Sequence, residues 1–204
     1  MKNIGRLWRW LGLICVLSFG ALGYLGWEIY LAAPPIPKAV VSADGEVLFT
    51  EAQVKLGQQA WLSAGGQQLG TVWGHGSYLA PDWSADWLHR EAVALKTIRA
   101  GHQGAAASSV EVEAAVNARI KEEMRRNTYD SVDGTVRVSV ERARAIKQVA
   151  AHYEGLFGSD LSLAKLREQY AMTDDMLPNK EERAALTAFF FWSAWAASTN
   201  RPGE

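Results

Sequence analysis

The chain has 204 residues, 49% hydrophobic and 21% charged, with a net charge of -1; this balance excludes a disordered chain and gives no electrostatic reason for a nucleic-acid partner. Its only cysteine, Cys15, lies in an apolar stretch, which excludes a disulfide framework, a thiolate metal site and haem attachment through a cysteine pair. Nine tryptophans are the compositional oddity, and their positions must decide between a membrane interface, a partner surface and a core.

Residues 1–9 form a basic tail carrying Lys2, Arg6 and Arg9. From Trp10 to Trp27 no charge interrupts the chain, about enough helix to cross a hydrocarbon core at roughly 1.5 Å per residue. The sequence therefore predicts a transmembrane helix over 10–31, with Trp8 and Trp10 at one interface and Trp27 and Tyr30 at the other. Basic residues before the run and Glu28 after it keep the N-terminus cytoplasmic. A cleaved signal peptide is the competing reading, but the run is longer than a typical apolar region of that kind and exits through aromatics instead of an A-x-A site. Residues 32–38, with Ala33 to Pro37 reading APPIP, form a stiff proline-rich linker. Residues 39–204 remain for an extracytoplasmic domain, the rest of a mostly α chain with one or two small β-hairpins.

In that domain, Val40-Val41 and Val47 to Phe49 flank an Asp44-Gly45 turn, the local signature of a hairpin. Thr50 and Gln53 form a capping box for a helix ending near Gly65-Gly66, with Val54, Leu56, Ala60, Trp61 and Leu62 as its apolar face. Gly65 to Trp83 is too rich in glycine for a regular element and reads as a long loop, the kind that often carries function. Ser84 to Ala100 reads as a helix with Trp87, Leu88, Glu91, Ala92, Leu95 and Ile98 on one face. Ser108 or Ser109 caps the next helix, which runs to about Asn127 with Val112, Val116 and Ile120 as a stripe and Glu122 paired to Arg126.

Val132 to Val140, around Asp133-Gly134, reads as a second hairpin, followed by a Ser139-capped helix to about Phe157 and a shorter helix over Leu163 to Tyr170. Ala184 to Asn200 is apolar on most sides and near spanning length. Its polar residues, Thr187, Ser193, Ser198, Thr199 and Asn200, favour a terminal helix packed in the domain over a second membrane span.

Common nucleophilic, zinc and phosphate-binding motifs are missing from the sequence. The four histidines are scattered: His75 and His89 flank the glycine-rich loop, and His102 and His152 lie far from it in sequence, a spacing that argues for structural roles over a metal site. Asp82 and Asp86 fit a loop and a helix start, and Asp174-Asp175 a turn. Gly74 to Trp83, GHGSYLAPDW, concentrates glycine, aromatic, His and Asp side chains and suits either a binding surface or a well-packed aromatic loop.

That segment resembles the one after the haem-attachment site in the cytochrome c subunit of bacterial nitric oxide reductases, where C-x-x-C-H is followed, three residues on, by G-x-G-x-Y-x-A-P-[DE]. The tail of the pattern is present from Gly74 to Asp82, and counting back puts Gly66, Leu69 and Gly70 where the two cysteines and the haem-ligating histidine would stand. A haem-free copy of this domain ahead of the catalytic region is what the quinol-dependent nitric oxide reductases look like. APDWSADWLHREA (Ala80 to Ala92), NTYD (Asn127 to Asp130), YEGLFG (Tyr153 to Gly158) and FFFWSAWAASTNRPG (Phe189 to Gly203) resemble that family's N-terminal region, so the likeness extends over nearly the whole chain.

The resemblance implies a cytochrome c-like fold whose first and last helices cross. It implies that the chain continues past Arg201-Pro202-Gly203 into a catalytic membrane portion of the same polypeptide, which would hold two haems b and a non-haem iron and reduce nitric oxide to nitrous oxide with electrons from quinol. This chain would be catalytically inert alone, holding no haem and no metal, with Met172 and Met176 as core fillers where a haem-ligating methionine would otherwise stand. Its docking loop would comprise Gly74, His75, Gly76, Tyr78, Pro81, Asp82 and Trp83, with Tyr78 matching a tyrosine that faces the calcium and haem-propionate region of the catalytic portion. The setting implied is the bacterial cytoplasmic membrane, with the lipid bilayer as partner. A reading from another class is a free-standing, single-pass sensor or assembly module with an extracytoplasmic binding domain.

Overall fold

The structure, a computed structural model, describes residues 4–103 and 110–201. Lys2, the Ser108 or Ser109 cap and Pro202 to Glu204 lie outside the described residues, as does the side chain of His102. The chain divides into two compact units, residues 1–35 and 36–204.

The first unit holds α1, Ile4–Leu31, a 28-residue helix with no buried residue that is long and apolar enough to cross a membrane. It starts earlier than the uncharged run, because Arg6 and Arg9 are good helix formers and continue the first turns.

In the second unit β1 (Ala39–Ser42) and β2 (Val47–Thr50) form the expected hairpin around Asp44-Gly45. The other hairpin is displaced from its expected place: its strands are β3 (Tyr129–Asp130) and β4 (Thr135–Val138). Val132 lies in the turn at 91% exposure, and Val140 already begins the following helix. Asp130 explains the shift, since its carboxylate accepts the Val132 N–H at 2.9 Å and starts the turn there. The two hairpins join through a parallel pairing of β1 with β4, giving one sheet in the order β2-β1-β4-β3. Val40 and Val136 face each other in that ladder and are both buried.

α2 (Glu51–Ser63) starts at Thr50 with both arms of the capping box formed. Its buried face is Val54, Gly57, Ala60 and Trp61, whereas Leu62 is exposed, because Trp61 takes the inward position at that level of the helix. α3 (Trp83–Gln103) and α4 (Val110–Arg125) follow the loop, and α5 (Val140–Phe157) is capped by Ser139 as expected. The short α6 is Ala164–Gln169.

The last helix, α7 (Lys180–Ser198), is capped by Asn179 and buries Phe189, Phe190, Phe191 and Trp195, so it belongs to the domain core. Its closest partner is α2, against which Gly57 lies directly on Ala185. Around this pair sits an aromatic core in which Trp83 stacks on Phe190 at 5.5 Å between centroids and Trp87 on Tyr153 at 5.4 Å. Met172 is buried at its edge and Met176 packs partly against it.

Candidate functional site

The segment between α2 and α3 is held by one carboxylate. Asp82 Oδ2 accepts from Thr71 Oγ1 at 2.7 Å and from the Gly74 N–H at 2.6 Å; its Oδ1 accepts from the Ser84 hydroxyl and from the Ala85 N–H at 3.0 Å, so it also caps α3. Burial works against its charged form, but the hydrogen bonds from Ser84, Gly74, Thr71 and Ala85 prevail and hold the Asp82 carboxyl below the usual carboxylate range.

Other hydrogen bonds tighten the loop. The Trp83 N–H reaches the Thr71 carbonyl at 2.8 Å, and the Gly76 N–H reaches Thr71 Oγ1 at 2.8 Å. The Ser77 hydroxyl donates to the Leu69 carbonyl at 3.1 Å and accepts the Ala80 N–H at 3.0 Å. Trp73 is held in the left-handed region at φ 57°, a strained backbone for a non-glycine residue. Its N–H bonds Ser84 Oγ at 3.2 Å, and its indole donates to the Ser193 carbonyl at 2.7 Å and packs on Trp192, which ties the loop to α7.

The expected docking residues divide between two sides. His75, Tyr78 and, beside it, Leu79 face solvent, with Tyr78 exposed over its whole side chain at 106%. Gly74 is exposed, Gly76 and Pro81 are half-buried, and Asp82 is turned into the loop's own hydrogen bonds. Trp83 is fully buried in the aromatic core, where it contacts Tyr153, Phe157, Tyr170 and Phe190, and presents nothing to a partner.

Gly66, Leu69 and Gly70 do not suit a haem. Glycine and leucine offer no donor to iron and no sulfur for a thioether link. Gly66 begins a short 3-10 turn, Leu69 packs partly on the core, and the buried Gly70 carbonyl accepts from the Trp61 indole at 3.4 Å. A methyl group on Gly70 would lie 2.4 Å from Trp83 Nε1, so a histidine there could not coexist with the indole. The space beside Gly70 is filled by the Trp83 indole.

Among the described residues no group of three or more His, Cys, Asp and Glu side chains is placed to hold a metal. The fold does bring His89 and His152 to one shallow depression, a proximity their separation in sequence conceals. Burial, then the neighbouring Arg90 charge, lowers the His152 pKa.

The sequence also conceals a buried ion pair. Arg142 Nε of α5 meets Glu91 Oε1 of α3 at 2.6 Å with both side chains almost fully buried, and the Trp87 indole donates to Glu91 Oε2 at 2.9 Å. Glu91 lies on the face read as core, and a carboxylate on such a face is the one signal that a cation has to come from elsewhere in the fold.

The first and last helices of the domain, α2 and α7, packed on each other beside an aromatic core and a small sheet, define a mostly helical domain that follows, in sequence, a helix of membrane-spanning length. The model of the NorB cytochrome c-like domain family of nitric oxide reductase matches residues 37–204, and the chain belongs to that family. No curated protein matches the chain.

Proposed function

We propose that this chain is the N-terminal, haem-free portion of a quinol-dependent nitric oxide reductase and that it acts as a structural element docked on the catalytic membrane portion. In this reading α1 anchors the chain in the bacterial cytoplasmic membrane, with the N-terminus cytoplasmic and the domain on the periplasmic side. Reduction of nitric oxide to nitrous oxide belongs to the membrane portion, with its two haems b and non-haem iron. The domain contributes shape and contacts.

The observation that carries the docking role is a tightly hydrogen-bonded loop that projects Tyr78 wholly into solvent. A loop fixed by Asp82 and by Trp73 presents that tyrosine at little entropic cost to a partner. The test is Tyr78→Ala in the full-length enzyme. Lower turnover, or a lower melting temperature of the assembled enzyme, supports docking; unchanged turnover and stability reject it. Absorption spectra of the same preparation check the haem-free reading, which a covalent c-type haem signal assigned to this domain would refute.

A further inference from the structure

A cleft of about 640 Å³ opens between α4, β4 and the start of α5, on residues separate from the glycine-rich loop. Its lining includes Arg99, Arg119, Arg126, Arg137 and Arg142. Three carboxylates, Glu122, Glu123 and Glu141, line it as well, and Glu91 and Asp133 reach two of the arginines from outside the lining.

Those carboxylates do not use up the donors. Glu122 pairs with Arg126 and Glu123 with Arg99, while Arg137 turns to Asp133. Arg119 has no carboxylate partner among the described residues.

The most buried of the lining cations is Arg142, only 2% exposed, and its guanidinium is half engaged. Nε is taken by Glu91 and Nη1 by the Glu123 carbonyl at 3.4 Å, but Nη2 has no partner among the described residues. Thr128 Oγ1, in the same lining, is also buried and unpartnered. A buried donor left without an acceptor is costly, and a guanidinium pinned at Nε is already oriented for one more bond. Glu91 holds it in place, since the ion pair is buried on both sides.

From this geometry we infer that the cleft binds a small oxyanion, a phosphate group being the chemistry that fits. Arg142 Nη2 and Thr128 Oγ1 are the inner donors, and Arg119 supplies positive charge at the rim, beside Arg137, which is paired with Asp133. Phosphate is tetrahedral and multiply charged, so it can take donors from several sides at once, and the cleft volume leaves room for a larger body attached to it. The group could arrive as a soluble phosphate or as a phospholipid headgroup.

The test uses the full-length protein in phosphatidylcholine nanodiscs, titrated calorimetrically with inorganic phosphate, beside nanodiscs in which part of the lipid is phosphatidylglycerol. Saturable phosphate binding, weakened about tenfold by Arg119→Ala with Arg137→Ala and by Thr128→Val, supports the site with a soluble anion as its source. Amide-exchange protection of residues 126–142 that needs phosphatidylglycerol and is lost in the same variants supports it with the headgroup as source. These rim and isosteric changes spare the Glu91–Arg142 pair and the core, so loss of folding does not stand in for loss of binding. Neither signal in the wild-type protein, or binding indifferent to the variants, overturns the inference.

Discussion

Gly57 lies so close to Ala185 that a methyl group on it would come within 2.0 Å of the Ala185 carbonyl oxygen. The obstacle is backbone, so α2 and α7 would have to move apart to accept it. Gly57→Ala is expected to destabilise the domain by about 3 kcal/mol or more, read by chemical denaturation of the full chain in detergent. Gly101, also helical but with nothing within 4 Å of its would-be Cβ, is the control; Gly101→Ala should be neutral or stabilise by up to about 1 kcal/mol.

A methyl group on Gly70 would meet the Trp83 indole first, at 2.4 Å from Nε1, and then the Pro81 carbonyl oxygen at 2.8 Å, so removing the indole relieves part of the clash. Gly70→Ala should cost about 2 kcal/mol, and combining it with Trp83→Phe, which removes the clashing ring edge, should cost less than the two single changes added together. A double-mutant cycle on denaturation midpoints measures that difference. Strict additivity would mean that the two positions do not compete for the same space.

For the buried pair, Glu91→Gln leaves the Arg142 charge without its counter-ion and should cost about 3–5 kcal/mol. Replacing both residues by methionine removes the charge along with its partner. The double variant should therefore lie well above Glu91→Gln in stability.

Asp82 sets a pH response. Its folded-state pKa is depressed, so its carboxylate stabilises the fold above the unfolded value, near pH 4, and that contribution is lost as the pH falls through the folded value. Asp82→Asn should lower stability at pH 7 by about 1–3 kcal/mol and flatten the loss of stability below about pH 4. Melting temperatures across pH 2.5–7, a range chosen about the ordinary carboxylate pKa, compare the two proteins.

Much of this fold was legible in the sequence because the decisive signals are local. The Thr50–Gln53 capping box and Ser139 fix helix starts through side chains three residues away, and the Asp44-Gly45 turn makes its hairpin within a few residues. The start of α7 was less legible, since Asn179 caps a charged first turn that the apolar run does not include. Nothing local could give the β1–β4 pairing, which joins strands far apart in sequence, or the partner of Glu91, which stands on another helix. Of the candidate site, the composition of the Gly74 to Trp83 loop was visible, but its division into an outward Tyr78 and an inward Trp83 depends on Asp82 folding the chain back on Thr71. The arginine cleft draws on α4, β4 and α5 together and has no motif to announce it.

The position of β1 within the sheet has a mechanical consequence. It begins just past the proline-rich linker and has neighbours on both sides, antiparallel β2 and parallel β4. Drawing β1 out of the sheet would break two ladders of hydrogen bonds at once. An edge strand gives up one set of partners when it detaches, whereas this one has to break its bonds to both neighbours, so the chain enters the domain on a strand held from two sides.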